Sequence, residues 1–80
     1  MNNLEQTFGT VLFEKRQQQG LTQEKLAELC NFDRKYIYLL EKGKNQPSLR
    51  SLFALAAALA ITPMALVEEV HQRMQVGNED

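Results

Sequence analysis

An all-α fold of five short helices is the expectation for this sequence, and three observations carry it. Apolar residues recur at three- and four-residue spacing along most of the chain, capping residues stand before the later runs, and no segment shows the alternation of a half-buried strand. At 80 residues there is room for one hydrophobic core. The expected organisation is a single domain over residues 1–76, with residues 77–80 as a frayed tail.

Leu4, Phe8, Leu12 and Arg16, with Val11 alongside, mark a first amphipathic helix that runs to about Gln18, before Gly20 breaks it. Thr22 is the N-cap of a second helix, because its hydroxyl can accept from the free backbone N–H groups of the first turn. Leu26, Leu29 and Cys30 form the apolar stripe of that helix, and Ala27 is small enough to let another helix approach. Asn31 follows, a residue that tolerates the left-handed conformation that ends a helix sharply. Asp33 caps a third helix through Glu41, with Ile37 and Leu40 inward and Arg34, Lys35, Tyr38 and Leu39 outward. Gly43 terminates it, and residues 44–47 form a loop. Ser48 caps a fourth helix, rich in Leu and Ala, that reaches about Ala60. Thr62 and Pro63 open a fifth, where the missing proline N–H costs nothing. Its apolar residues Leu66, Val67, Val70 and Met74 extend past what a short closing helix needs.

Composition excludes several classes. One Cys cannot form an internal disulfide, and one Cys with one His supply too few ligands for a structural zinc site, so no metal and no cofactor are expected. Cys30 reads as a small buried hydrophobe and His71 as a surface residue. No apolar run approaches the roughly 20 residues of a spanning helix, and the start MNNLEQTF lacks the pattern of a secretory signal. A cytoplasmic location without membrane association is the expectation. An enzyme is not expected, since no phosphate-cradling loop and no set of nucleophile, base and orienting group is present.

Net charge is −1, but its distribution is uneven. Residues 15–50 carry eight basic side chains against four acidic ones, whereas the flanking segments are acidic. A basic middle is what a single phosphate-facing surface requires. Two helices joined by a tight turn form the helix-turn-helix arrangement, whose second helix enters the major groove of DNA. Arg34 and Lys35 follow the Asp33 cap directly, where donors to base edges and phosphates belong, and Tyr36 and Tyr38 add aromatic rings with polar tips. Tyr36 has an alternative role, packing its ring against the protein.

The run G20-L21-T22-Q23-E24, L26-A27, N31 to I37, L40-E41, G43-K44 and P47-S48-L49 resembles the lambda-repressor-like helix-turn-helix family, also called the XRE or Cro/C1 type. The chain is most similar to the small controller proteins of restriction–modification systems. The resemblance implies a compact five-helix DNA-binding domain that acts as a homodimer on a double-stranded DNA operator. It implies that Gln23 contacts the DNA backbone, that Arg34, Lys35 and Tyr38 face bases or the groove wall, and that Lys42, Lys44 and Asn45 lie beside the backbone. Arg16 and Glu41 match a pair that bridges the first and third helices. Asn31 and Ala60 stand where the family usually has glycine, and Leu39 where relatives often carry a polar residue. Val11, Phe13, Ala54 and Ala57 replace commonly polar surface residues and suggest an added apolar contact face.

Dimerisation is expected through Leu66, Val67, Val70 and Met74 of the fifth helix, with Phe13 a candidate addition; closing the core of the monomer is the other role open to such a stripe. The alternative function is an antitoxin that binds a protein toxin and represses its own operon, although few residues follow Met74 to form a partner-binding extension. No small-molecule effector site is evident. Operator sequence and the sign of regulation, activation or repression, are not encoded in any of these features.

Overall fold

The computed structural model describes residues 3–77 and contains five helices: α1 (Leu4–Gln18), α2 (Gln23–Cys30), α3 (Arg34–Glu41), α4 (Leu49–Ala58) and α5 (Pro63–Gly77). No strand occurs among the described residues. Residues 78–80 of the expected tail lie outside them, and Gly77 belongs to α5.

Local chemistry sets the helix starts. The side chains of Asn3, Thr22, Asp33 and Ser48 each accept from a backbone N–H of the first turn behind them, and Thr62 does the same for α5 at 3.0 Å. The first four helices end alike. Gly20, Asn31, Gly43 and Ala60 have φ of 68°, 60°, 75° and 61°, so each turn pivots on a left-handed residue. At every one of these ends two backbone bonds close the last turn, as in Phe32 N–H to Ala27 O with Asn31 N–H to Glu28 O, the Schellman arrangement. The residue after the pivot is Leu21, Phe32, Lys44 or Ile61. Leu21, Phe32 and Ile61 pack against the core; Lys44 is exposed. The turn after α3 thus keeps the geometry but places a cation where its counterparts place an apolar anchor.

The core comprises Phe8, Val11 and Leu12 of α1, Leu26 and Ala27 of α2, Ile37 and Leu40 of α3, Leu55 and Ala56 of α4 with Leu59, and Leu66 and Val70 of α5. α1 crosses α3 at Gly9. A Cβ there would stand 2.5 Å from the Leu40 carbonyl oxygen and 2.6 Å from that of Glu41, so the two backbones meet only because this residue has no side chain.

Several expectations are corrected. Leu29 is 52% exposed, because an eight-residue helix has only a narrow inward face and Leu26 and Ala27 occupy it. α4 ends at Ala58, two residues early, since the left-handed Ala60 requires the last turn to close before it. Val11 is fully buried in its own core and cannot belong to an outer contact face. Leu66 and Val70, expected at a dimer interface, also close the core, at 0% and 6% exposure; Met74 is half-buried against it, and of the four only Val67 is exposed.

Candidate nucleic-acid interface

α2 and α3 pack together through Leu26, Ala27, Ile37 and Leu40, and the intervening turn is Asn31 to Asp33. Burial of Ile37 and Leu40 fixes the rotation of α3 about its axis, which leaves Arg34, Lys35 and Tyr38 exposed on the opposite side. α3 therefore presents two cations in its first turn and an aromatic one turn later. Lys42, at the helix end, holds its ammonium 5.7 Å from the centre of the Tyr38 ring. Lys44 is exposed and Asn45 half-buried in the loop that follows.

Behind this face runs a chain of polar contacts. The Arg16 guanidinium donates from Nε to Glu41 Oε2 at 2.6 Å and from Nη2 to Oε1 at 3.0 Å, with both side chains less than a tenth exposed. Arg16 Nη1 also donates to the Leu21 carbonyl at 2.8 Å. This fork leaves few bonding positions unmet, the condition under which a buried pair is tolerated. Gln23 Nε2 donates to Glu41 Oε1 at 2.9 Å, and its Oε1 accepts from Arg34 Nη1 at 3.2 Å. Gln23 was expected at the DNA backbone; its amide instead links the buried pair to the first cation of α3, with one Nε2 hydrogen left for any other acceptor.

Tyr36 takes the packing role left open to it by the sequence. Its hydroxyl donates to Ser51 Oγ at 2.9 Å, its ring meets Phe32 edge-on at 5.1 Å between centres, and the side chain packs on the core. It ties α3 to α4. Sequence reasoning had no partner for it, since Ser51 lies 15 residues away.

Other polar features lie away from this face. Arg73 of α5 donates to Glu14 and Glu69, and Lys15 lies 3.8 Å from Glu69, a network joining α1 to α5. The hydrogen bond from Arg73 holds the Glu14 carboxyl below its ordinary value. Burial pushes the Cys30 thiol up, and its Sγ lies 3.5 Å from the Ala54 carbonyl, the environment of a packed residue. No group of His, Cys, Asp and Glu suited to a metal ion occurs among the described residues, and none of the described helices is by itself long and apolar enough to cross a membrane.

Residues 12–66, more than half of the chain, match the Helix-turn-helix family. This protein is a member of that family. The helix-turn-helix chain is 33% identical to control protein C.MunI of a Mycoplasma species, over 90% of its own length and 99% of the relative's. Among solved structures it is similar to the restriction-modification controller protein C.AhdI of Aeromonas hydrophila, with a TM-score of 0.74 and 43% identity over 76% of this chain and 92% of that one. It is also similar to the controller protein C.Esp1396I, solved as a tetramer in complex with its natural 35 base-pair operator, with a TM-score of 0.79 and 26% identity over 90% and 95% of the two chains.

Proposed function

We propose that this helix-turn-helix protein is a sequence-specific DNA-binding transcriptional regulator that acts as a homodimer on a two-fold-symmetric operator, in the manner of a controller protein regulating its own operon. The observation that carries this reading is α3. Its inward residues lock it to the core while Arg34, Lys35 and Tyr38 project outward. A helix held in this way can enter a major groove without the entropic cost of ordering itself.

Arg34 is the residue assigned to base edges, with Lys35 and Tyr38 beside it, and Lys42, Lys44 and Asn45 are assigned to the phosphates that flank the groove. Gln23 acts mainly through Arg34. One domain reads only a few base pairs, so two copies with recognition helices roughly 34 Å apart would read two half-sites one helical turn apart. Such a regulator works in the cytoplasm, where its operator is, and no catalytic step enters this reading. The antitoxin alternative gains no support, because the similar proteins are named as control and controller proteins.

Footprinting on the DNA upstream of its own gene, across protein and salt concentrations, tests the reading. A salt-sensitive, two-fold-symmetric footprint that Arg34→Ala weakens by about 1–3 kcal/mol is the expected result. No specific footprint at any concentration would refute it.

A further inference from the structure

We infer that Leu39 reads a pyrimidine 5-methyl group in the major groove, so that each half-site of the operator carries a thymine opposite it. This rests on the operator reading above and adds one determinant of the sequence that is selected. Of the two leucines of α3, Leu40 is fully buried, whereas Leu39 is partly exposed and does not pack against the core. At 3.6 residues per turn Leu39 stands about 160° around the helix from the buried Ile37. Lys35 precedes it by four residues and Lys42 follows it by three, so the leucine lies between two exposed cations on one side of α3. Its carbonyl accepts from the Lys44 N–H at 2.9 Å, which fixes its backbone in the closing turn of the helix.

A single exposed leucine is ordinary on a protein surface, and it is the place of this one that gives it meaning. α3 has eight residues and is therefore about 12 Å long, close to the width of the major groove, about 12 Å. A helix seated there by Arg34 and Lys35 brings its whole outward row within the groove, Leu39 included. Lys35 and Lys42 draw the DNA against this side, and the leucine between them meets base edges.

The chemistry of those edges decides what a leucine can select. Guanine, adenine and cytosine present only donors and acceptors in the major groove, and a leucine laid over them leaves those groups without partners. Thymine adds an apolar group, the C5-methyl, and 5-methylcytosine carries the same methyl. Covering that methyl removes apolar surface from water on both molecules, so contact there is favourable where contact with the other edges is not. An apolar protein partner fits this position poorly, because one leucine between two lysines is far smaller than the patch a protein interface needs.

Selection from a randomised duplex pool by the full chain supplies the operator. Gel-shift titration of wild type and Leu39→Ala then compares duplexes in which each symmetric pair of thymines is replaced in turn by deoxyuridine, which lacks only the methyl. Thermal melts by circular dichroism verify that the variant is folded. Burial of one methyl is worth about fourfold in affinity, so at one pair of positions the replacement should weaken wild-type binding by about fifteenfold over the two half-sites. The same replacement should leave the binding of Leu39→Ala unchanged, a coupling that a merely structural role for the side chain would not produce. Cytosine and 5-methylcytosine at that pair separate the methyl from the rest of thymine: the methylated duplex should bind wild type more tightly by about the same factor, and Leu39→Ala should bind the two alike. A methyl effect of equal size in both proteins, no thymine whose methyl matters to wild type, or equal wild-type affinity for cytosine and 5-methylcytosine would each overturn the inference and leave the operator reading intact. A pool from which no duplex is selected removes the operator reading, and this inference with it.

Discussion

The α3 side of the molecule and the α4–α5 side solve opposite problems. On the first, the exposed Arg34 is placed by hydrogen bonds that run back through Gln23 to the buried Arg16–Glu41 pair, so its direction is specified at the level of single atoms. On the second, exposed apolar side chains surround two recesses, where shape alone decides what fits. The difference follows from the partner each face would meet. Reading a base edge requires donors within a few tenths of an ångström, whereas joining two copies of one surface requires area and complementarity. Polar residues that cannot be mispositioned therefore sit on one side, and hydrophobes that tolerate small displacements on the other.

The sharpest way to break the comparison is to cut the polar chain at its root. Glu41→Ala leaves Arg16 buried without its partner and should cost about 3–5 kcal/mol in a urea titration, with Arg16→Met plus Glu41→Leu costing less than either residue removed alone. If the single variants were nearly neutral, α3 would be held by apolar packing alone. Gly9→Ala attacks the same helix from behind, since the added methyl would overlap the Leu40 and Glu41 carbonyl oxygens; a loss of about 1–3 kcal/mol by the same titration is expected.

Gln23→Ala separates positioning from folding. Operator affinity should fall by about 1 kcal/mol through a freed Arg34, with thermal stability nearly unchanged, and an additional loss of the same size in an Arg34→Ala background would show that Gln23 acts independently of Arg34. Ala60→Gly relieves a left-handed alanine on the α4–α5 side and should raise stability by roughly 1 kcal/mol, less the entropy that glycine adds to the unfolded chain.

The smallest effect is a pH dependence. Arg73 lowers the folded-state pKa of Glu14 from an ordinary value of 4.5, so the stabilisation is present above that value and is lost as pH falls through the lower folded one. Melting of Glu14→Gln against wild type should show a difference at neutral pH that closes in acid, and a constant difference would mean that the pairing is irrelevant to titration.

Much of the fold was legible because the signals were local. Thr22, Asp33 and Ser48 bond to their own helices, and Asn31 and Gly43 end them within one turn, so caps and breaks could be read from neighbouring residues. The outward set on α3 was legible too, since Ile37 and Leu40 leave only one orientation for an eight-residue helix. The α5 stripe was less so: Leu66, Val67 and Val70 all fit a helical apolar band, and only the width of the core decides that Val67 falls outside it. Gly9 left a signal that went unread, a glycine inside a helix whose cost implies a close approach. The second apolar row on α4, Leu49 and Phe53, also went unread, although its four-residue spacing is offset from the buried Leu55, Ala56 and Leu59.

By itself the sequence determined five helices, the caps Thr22, Asp33, Ser48 and Thr62, the breaks at Gly20, Asn31 and Gly43, and the composition of the outward face of α3, because each depends on interactions within a few residues. Tertiary structure alone decided that Tyr36 serves Ser51, that Gln23 joins Glu41 to Arg34, and that Leu66 and Val70 face inward while Phe53 and Met64 do not. Those outcomes depend on which helices meet and at what distance. Contacts between residues far apart in the chain carry no local signature.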